Sequence, residues 1–257
     1  MDFTLPTGRN KKLGAVLQKV RKSKELEAYL RCCNVMAIDR LGFNDHGPTH
    51  IKIVSNMALR LLRILVSNGV QPGVVKNYKL KMEDAEVIVF LASCLHDIGH
   101  VVHRLNHADF SIPIALGFLK EFLRGIYDEE EIPIIVSETL HAIRAHESDC
   151  TPLTIEAGIV RLSDALDMER GRARIPFEAG SVNIHSVSAL AIEKVLINEG
   201  DKERPIAIHI RMTNSAGIFQ IDELLRTKLK DSLLENYVRI TAELVGPEEK
   251  IIQKLQF

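Results

Sequence analysis

Residues 91–112 read LASCLHDIGHVVHRLNHADFSI. An apolar run ends in the pair His96-Asp97, and His100, His103 and His107 follow. Imidazole nitrogen and carboxylate oxygen together suit divalent Mn, Fe, Co, Ni or Zn, and a bridging aspartate can serve a pair of ions. The bland alternative is one helix exposing a polar face, because these positions fall at helical spacing. The rest of the chain has to choose.

Further donors lie on both sides. His50 opens an apolar segment, His146 follows IVSETLHAIRA, and Asp164 falls within IVRLSDALD. We expect Asp164 in the middle of a helix whose apolar stripe is Ile155, Ile159, Leu162 and Leu166, with Asp167 able to share its face. His141 is five residues before His146 and is the poorer ligand candidate. Adjacent helical residues point about 100° apart, so His96 and Asp97 can straddle a metal only where their helix faces a cleft lined by others.

Composition narrows the class. The chain has 257 residues, 46% of them apolar, which is enough for one large domain with a normal core. A net charge of −1 argues against a general polyanion-binding protein, so a nucleic-acid partner is not expected. Cys32, Cys33, Cys94 and Cys150 form no C-x-x-C pair and read as reduced thiols. The apolar run Ala85–Leu95 is too short to span a bilayer, and MDFTLPTGRNKK lacks the apolar block of a signal peptide. A cytoplasmic protein is expected.

Helical periodicity runs from about Lys11 to Leu30, from Thr49 to Ser67 behind Pro48, and through EDAEVIVFLASCLHD, with Val87, Phe90, Leu91, Cys94 and Leu95 as its buried face. Further helices are expected from about Phe110 to Arg124, over IVSETLHAIRAH, and from an N-cap at Thr151 followed by Pro152. The texture then turns to two β-prone runs, a helical stretch FQIDELLRTKLKDSLLE, and the strand YVRITAELV. The fold class is therefore mainly α, a helical bundle followed by a small α+β domain. We place an N-terminal helical extension at 1–30, the helical domain at 31–175 and a β-β-α-β domain at 176–257.

With these features in place, LHDIGH resembles the signature of the HD superfamily of metal-dependent phosphohydrolases. The upstream H-x-x-x-V is matched by His50 to Val54, the doublet by His96 and Asp97, and the closing aspartate by Asp164, over about residues 30 to 172. The resemblance implies that His50, His96, Asp97 and Asp164 hold a first metal. In two-metal members two more histidines join; His107 matches that pattern loosely, and His146 in Ala142-Ile143-Arg144-Ala145-His146 matches it well. One or two divalent transition metals (Mn, Fe, Co, Ni or Zn), or Mg, are the implied cofactors, with the identity left open.

Metals bridged by Asp97 would lower the pKa of a shared water, and the hydroxide so formed would attack phosphorus in line. A histidine not spent on metal, His103 first, is expected to protonate the leaving oxygen, and His100, His103 and His107 are candidates for catalysis or phosphate contact. Arg104, Arg144 and Arg170 are candidate phosphate ligands, with Arg161 and Arg172 behind them. Asp167 would orient a ligand histidine. The expected partner is a nucleotide or other phosphorylated small molecule, and the expected assembly a homodimer. The alternative is a nucleotide-sensing module with little catalysis. The Gly-Tyr-Pro signature of the cyclic-di-GMP branch is absent, as is a Walker-type loop, so the residues leave the substrate open.

Overall fold

The computed structural model describes residues 1–171 and 184–247. It is a helical bundle with a small three-stranded sheet in its C-terminal part. At its centre lies α5, Met82–Leu95. Sequence periodicity predicts one buried face, but the run Val87–Leu95 is buried on every side. A helix that is apolar all round belongs in the middle of a bundle. Helices α1 (Lys11–Lys22), α3 (Pro48–Ser67), α7 (Glu131–Arg144) and α8 (Ile155–Leu166) pack against it.

The expected helix from Lys11 to Leu30 is divided at Ser23. Its extended backbone ends α1, and its hydroxyl accepts from the Leu26 amide to start α2, Lys24–Asn34. Leu13, Val16, Leu17, Val20, Leu26 and Leu30 join the same apolar cluster as α5, so the N-terminal segment is part of the core. Buried Asp84 ties it down, because Lys12 Nζ and the Tyr127 hydroxyl both donate to Asp84 Oδ1 at 2.9 Å.

Two boundaries differ from the sequence reading in ways that matter for the site. Helix α6 begins at His107 rather than Phe110 and runs to Leu123. Helix α8 opens at Ile155, not at Thr151-Pro152, because Thr154 is the residue whose hydroxyl caps the Ala157 amide. The helix ends at Leu166, so Asp164 lies in its last turn instead of its middle.

The tail has the expected succession of two strands, a helical connection and a third strand. Strand β1 (Ile192–Glu199) pairs antiparallel with β2 (Ile206–Met212), and β2 pairs parallel with β3 (Val238–Leu244). Val195, Ile197, Ile206, Ile208, Ile210 and Met212 are buried, and the β1–β2 pair packs on α3. The helical connection is short: a π-helical turn at Gln220–Leu225 and a single turn at Arg226–Leu229. The boundary expected near 175–176 and Arg172 lie outside the described residues. Among the described residues no helix is long and apolar enough to cross a membrane.

The connection sits directly on α8. A Cβ on Gly158 would come within 2.0 Å of the Ser232 carbonyl oxygen, a contact with backbone that no side-chain rotation relieves. Gly158→Ala is expected to cost about 1–3 kcal/mol of stability by overpacking, read as a lower urea midpoint with an unchanged slope.

Candidate metal centre

The donors come from five helices that place them at or next to their ends. His50 is in the first turn of α3, His96 caps the C-terminus of α5, and Asp97 follows it. His107 opens α6, His146 lies two residues beyond α7, and Asp164 is in the last turn of α8. The histidines are therefore no polar stripe on one helix. Helix α5 stops at Leu95, a 3-10 turn spans Ile98–Val101, and a loop carries the chain to α6.

Asp97 is the shared element. Its Oδ2 lies 3.2 Å from His50 Nε2, 3.3 Å from His96 Nε2 and 4.0 Å from His46 Nε2. Its Oδ1 lies 3.1 Å from His107 Nε2, 3.6 Å from His100 Nε2 and 3.7 Å from His146 Nε2. Asp164 adds Oδ1 at 3.4 Å from His50 Nε2 and 3.7 Å from His96 Nε2. Two donor groups result, His50–His96–Asp97–Asp164 and Asp97–His107–His146, and a third set joins His46, Asp97 and His100.

The ring orientations fit these groups to cations. His96 Nδ1 contacts the Ser93 carbonyl at 3.0 Å, His107 Nδ1 that of Arg104 at 2.9 Å, and His146 Nδ1 that of Ile143 at 2.6 Å. A carbonyl only accepts, so each Nδ1 carries a proton and each ring turns Nε2 inward, where its neutral form offers a lone pair. His50 Nδ1 meets Asp167 Oδ2 at 2.6 Å with the same effect. Nε2 atoms then face each other at 3.2 Å (His50–His96) and 3.0 Å (His107–His146). Ligands at about 2.1 Å from one ion and at right angles would be roughly 3.0 Å apart. Asp97 Oδ2 is fully buried and accepts no hydrogen bond of proper geometry. Converging lone pairs and an orphaned carboxylate oxygen are the arrangement that a divalent ion completes.

The electrostatics agree. Burial opposes the charge on Asp97, but His96 and His46 hold its carboxyl well below the usual range. Burial likewise opposes the charge on Asp164, and Lys228 and His50 outweigh it. On His96 burial works against protonation, yet Asp97 and Asp164 push the pKa up to about 9. Burial holds His100 and His146 below the usual imidazole range. The first pocket attracts positive charge strongly enough to take a proton where no metal competes.

Beside the donors opens a cleft of about 300 Å³, lined by Phe43, His46, Asp97, Arg104, Asp164 and Lys228 among others. Arg104 reaches it, with its guanidinium 4.2 Å from the Phe43 ring centroid. The other two expected phosphate ligands are placed differently. Arg144 pairs with Asp109 and Asp149, Arg170 is exposed, and neither lines the cleft. Arg161 is buried and donates to the Glu147 carbonyl. His103 is exposed in the loop before α6, where its Nδ1 accepts from the Leu105 amide, so the geometry does not bring it to the cleft. His100 is fully buried against Asp97. His141 accepts from the Leu153 amide, away from the centre.

Three residues at the centre escaped the sequence reading. His46 is one turn before His50 in DHGPTH, a repeat of histidine that was available as a signal. Glu147 places Oε1 3.4 Å from both His107 and His146 Nε2. Lys228 arrives from the tail, with Nζ 2.5 Å from Asp164 Oδ2.

With this geometry established, the HD domain family matches residues 49–169. The chain is an HD-domain protein. It is 43% identical over 240 residues to an uncharacterized protein of Methanocaldococcus jannaschii, covering 93% of this chain and 92% of that one. It is 26% identical over 171 residues to ribonuclease Y of Syntrophomonas wolfei, covering 62% of this chain and 29% of the ribonuclease. No solved structure matches the chain significantly.

Two outcomes follow from the centre. Asp167 fixes the His50 ring from behind, so Asp167→Ala should weaken Mn²⁺ binding roughly 10- to 100-fold, measured by calorimetric titration. Without metal, Asp97 and Asp164, whose pKa values are depressed, stabilise the fold above the usual carboxylate range and lose that contribution as pH falls. His100 and His146, held neutral, add a loss as pH falls through the ordinary imidazole range. His96 has the opposite sign: its contribution is full below the ordinary imidazole pKa and is lost as pH rises through about 9. The EDTA-treated protein should show its highest urea midpoint near pH 7 when compared at about pH 4, 7 and 10.

Proposed function

We propose that this HD-domain protein is a metal-dependent phosphohydrolase that cleaves a phosphate ester or anhydride of a nucleotide. The observation that carries this reading is the buried Asp97 carboxylate, which turns one oxygen to His50 and His96 and the other to His107 and His146. His50, His96, Asp97 and Asp164 would hold one divalent ion, and Asp97, His107 and His146 a second. Bound there, such ions supply Lewis acidity toward a phosphoryl oxygen and toward water.

The remaining roles fall to the chain itself. The backbone carbonyls behind His96, His107 and His146 hold the Nδ1 protons and so keep the ligating Nε2 atoms aimed inward. His100, stacked on His107 with ring centroids 4.3 Å apart and held neutral by burial, can accept a proton. We assign proton transfer to it before His103, because it lies 3.6 Å from Asp97 Oδ1. Arg104 offers a guanidinium fork for phosphate oxygens at the cleft mouth, and Phe43 beside it offers an aromatic surface for a base. The volume of about 300 Å³ is at the small end for a ligand site and suits a single nucleotide unit. The ribonuclease Y similarity supports phosphoester chemistry and makes a short RNA a substrate worth including.

The test is a chromatographic panel of nucleotides, nucleotide anhydrides, cyclic dinucleotides and an oligoribonucleotide, incubated with Mn²⁺. One class should be hydrolysed, and Asp97→Asn should lower turnover by at least roughly a hundredfold while the protein remains folded. Turnover that survives Asp97→Asn, or that needs no metal, would remove this reading.

A further inference from the structure

The HD family match ends at residue 169, yet a residue far beyond it stands in the cleft. Lys228, on the single turn Arg226–Leu229, donates from Nζ to Asp164 Oδ2, and its side chain is 17% exposed. Asp164 uses its other oxygen, Oδ1, toward His50 and His96. The ammonium thus lies on the cleft side of a candidate ligand, behind the oxygen that the metal group does not need.

We propose that Lys228 is a substrate-phosphate ligand of the cleft and that the C-terminal segment serves to deliver it; the inference rests on the phosphohydrolase reading above. Three observations carry it. First, an ammonium has three N–H donors, and among the described residues the Lys228 side chain makes one hydrogen bond, to Asp164. Second, charge balance at the metals does not require it, because two divalent ions would bring as much positive charge as Asp97, Asp164, Asp167 and Glu147 together carry. The lysine is surplus in that count, and surplus positive charge in a half-closed cleft suits a polyanion. Third, the cleft is short of alternatives. Arg104 is the other lysine or arginine among its described lining residues, and Arg144 and Arg170 are placed elsewhere. Burying an ammonium is costly unless it is well paired, and this one is retained where one carboxylate oxygen meets it and open volume lies beside it.

The probe is inorganic phosphate, titrated calorimetrically into the full-length chain with and without Mn²⁺. Wild type is compared with Lys228→Met, Lys228→Arg and, as a control on the same segment, Lys230→Met. Lys228→Met should stay folded with the Mn²⁺ stoichiometry of the wild type, at a lower melting temperature because Asp164 loses its partner, but bind phosphate roughly tenfold or more weakly. Lys228→Arg should retain most of the affinity, and Lys230→Met should be unchanged. With a hydrolysed substrate in hand, the Lys228→Met loss should appear mainly in KM. Unchanged phosphate affinity in Lys228→Met overturns the inference. So does parallel loss of Mn²⁺ and phosphate, which would make Lys228 a partner of Asp164 alone. If the wild type takes up no Mn²⁺, the phosphohydrolase reading fails, and phosphate binding by the metal-free chain that Lys228→Met abolishes would still uphold the ligand. Absence of phosphate binding by wild type in both states overturns it.

Discussion

One buried carboxylate organises this protein. Asp97 is 3% exposed and is approached by six imidazoles, three on each oxygen. A carboxylate there would be untenable in an apolar core, since burying an unpaired charge costs several kcal/mol. It is tolerable because the helices converge their polar ends on it while their apolar lengths pack around α5. The fold and the centre are therefore one solution: the bundle keeps the carboxylate dry, and the imidazoles compensate it.

Glycine makes the close packing possible. Gly99 lies in the 3-10 turn after the His-Asp pair, and a Cβ there would stand 2.0 Å from the His107 carbonyl oxygen and 2.6 Å from the Ser111 amide. Its own amide donates to Ser111 Oγ at 2.8 Å, and that hydroxyl also reaches the carbonyls of His96 and His107. One serine thus ties the two halves of the candidate centre together across the turn. The glycine of HDIGH is required by this approach of backbone to backbone.

Much of the architecture was readable from the sequence. The helical bundle, the β-prone tail and its strand-strand-helix-strand succession followed from periodicity and turn residues, and the His-Asp pair with its upstream and downstream partners identified the family. What was not readable has a common cause. Asp164 lies at the end of α8 because the helix stops at Leu166 with Asp167 as its C-cap, and at the other end a threonine cap won over a Thr-Pro start, a competition decided by which hydroxyl meets an amide. His103 has the same spacing credentials as His107, but the loop turns it outward. Lys228 is 64 residues from Asp164, and no local pattern announces a contact made by the tail folding back over α8. Periodicity reports faces within an element; it is silent about which ends of different elements meet.

The meeting of helix ends has an electrostatic result of its own. The C-terminal ends of α5, α7 and α8 and the N-terminal ends of α3 and α6 carry the donors. Each end carries about half an elementary charge, negative at the carbonyl end and positive at the amide end. Three negative ends against two positive ones leave a standing pull on cations that owes nothing to any ionisable side chain. Side-chain charges here rise and fall with acidity, whereas peptide dipoles do not titrate. The backbone thus gives the centre a baseline preference for positive charge that persists wherever the bundle stays folded, with the histidines and aspartates acting on top of it.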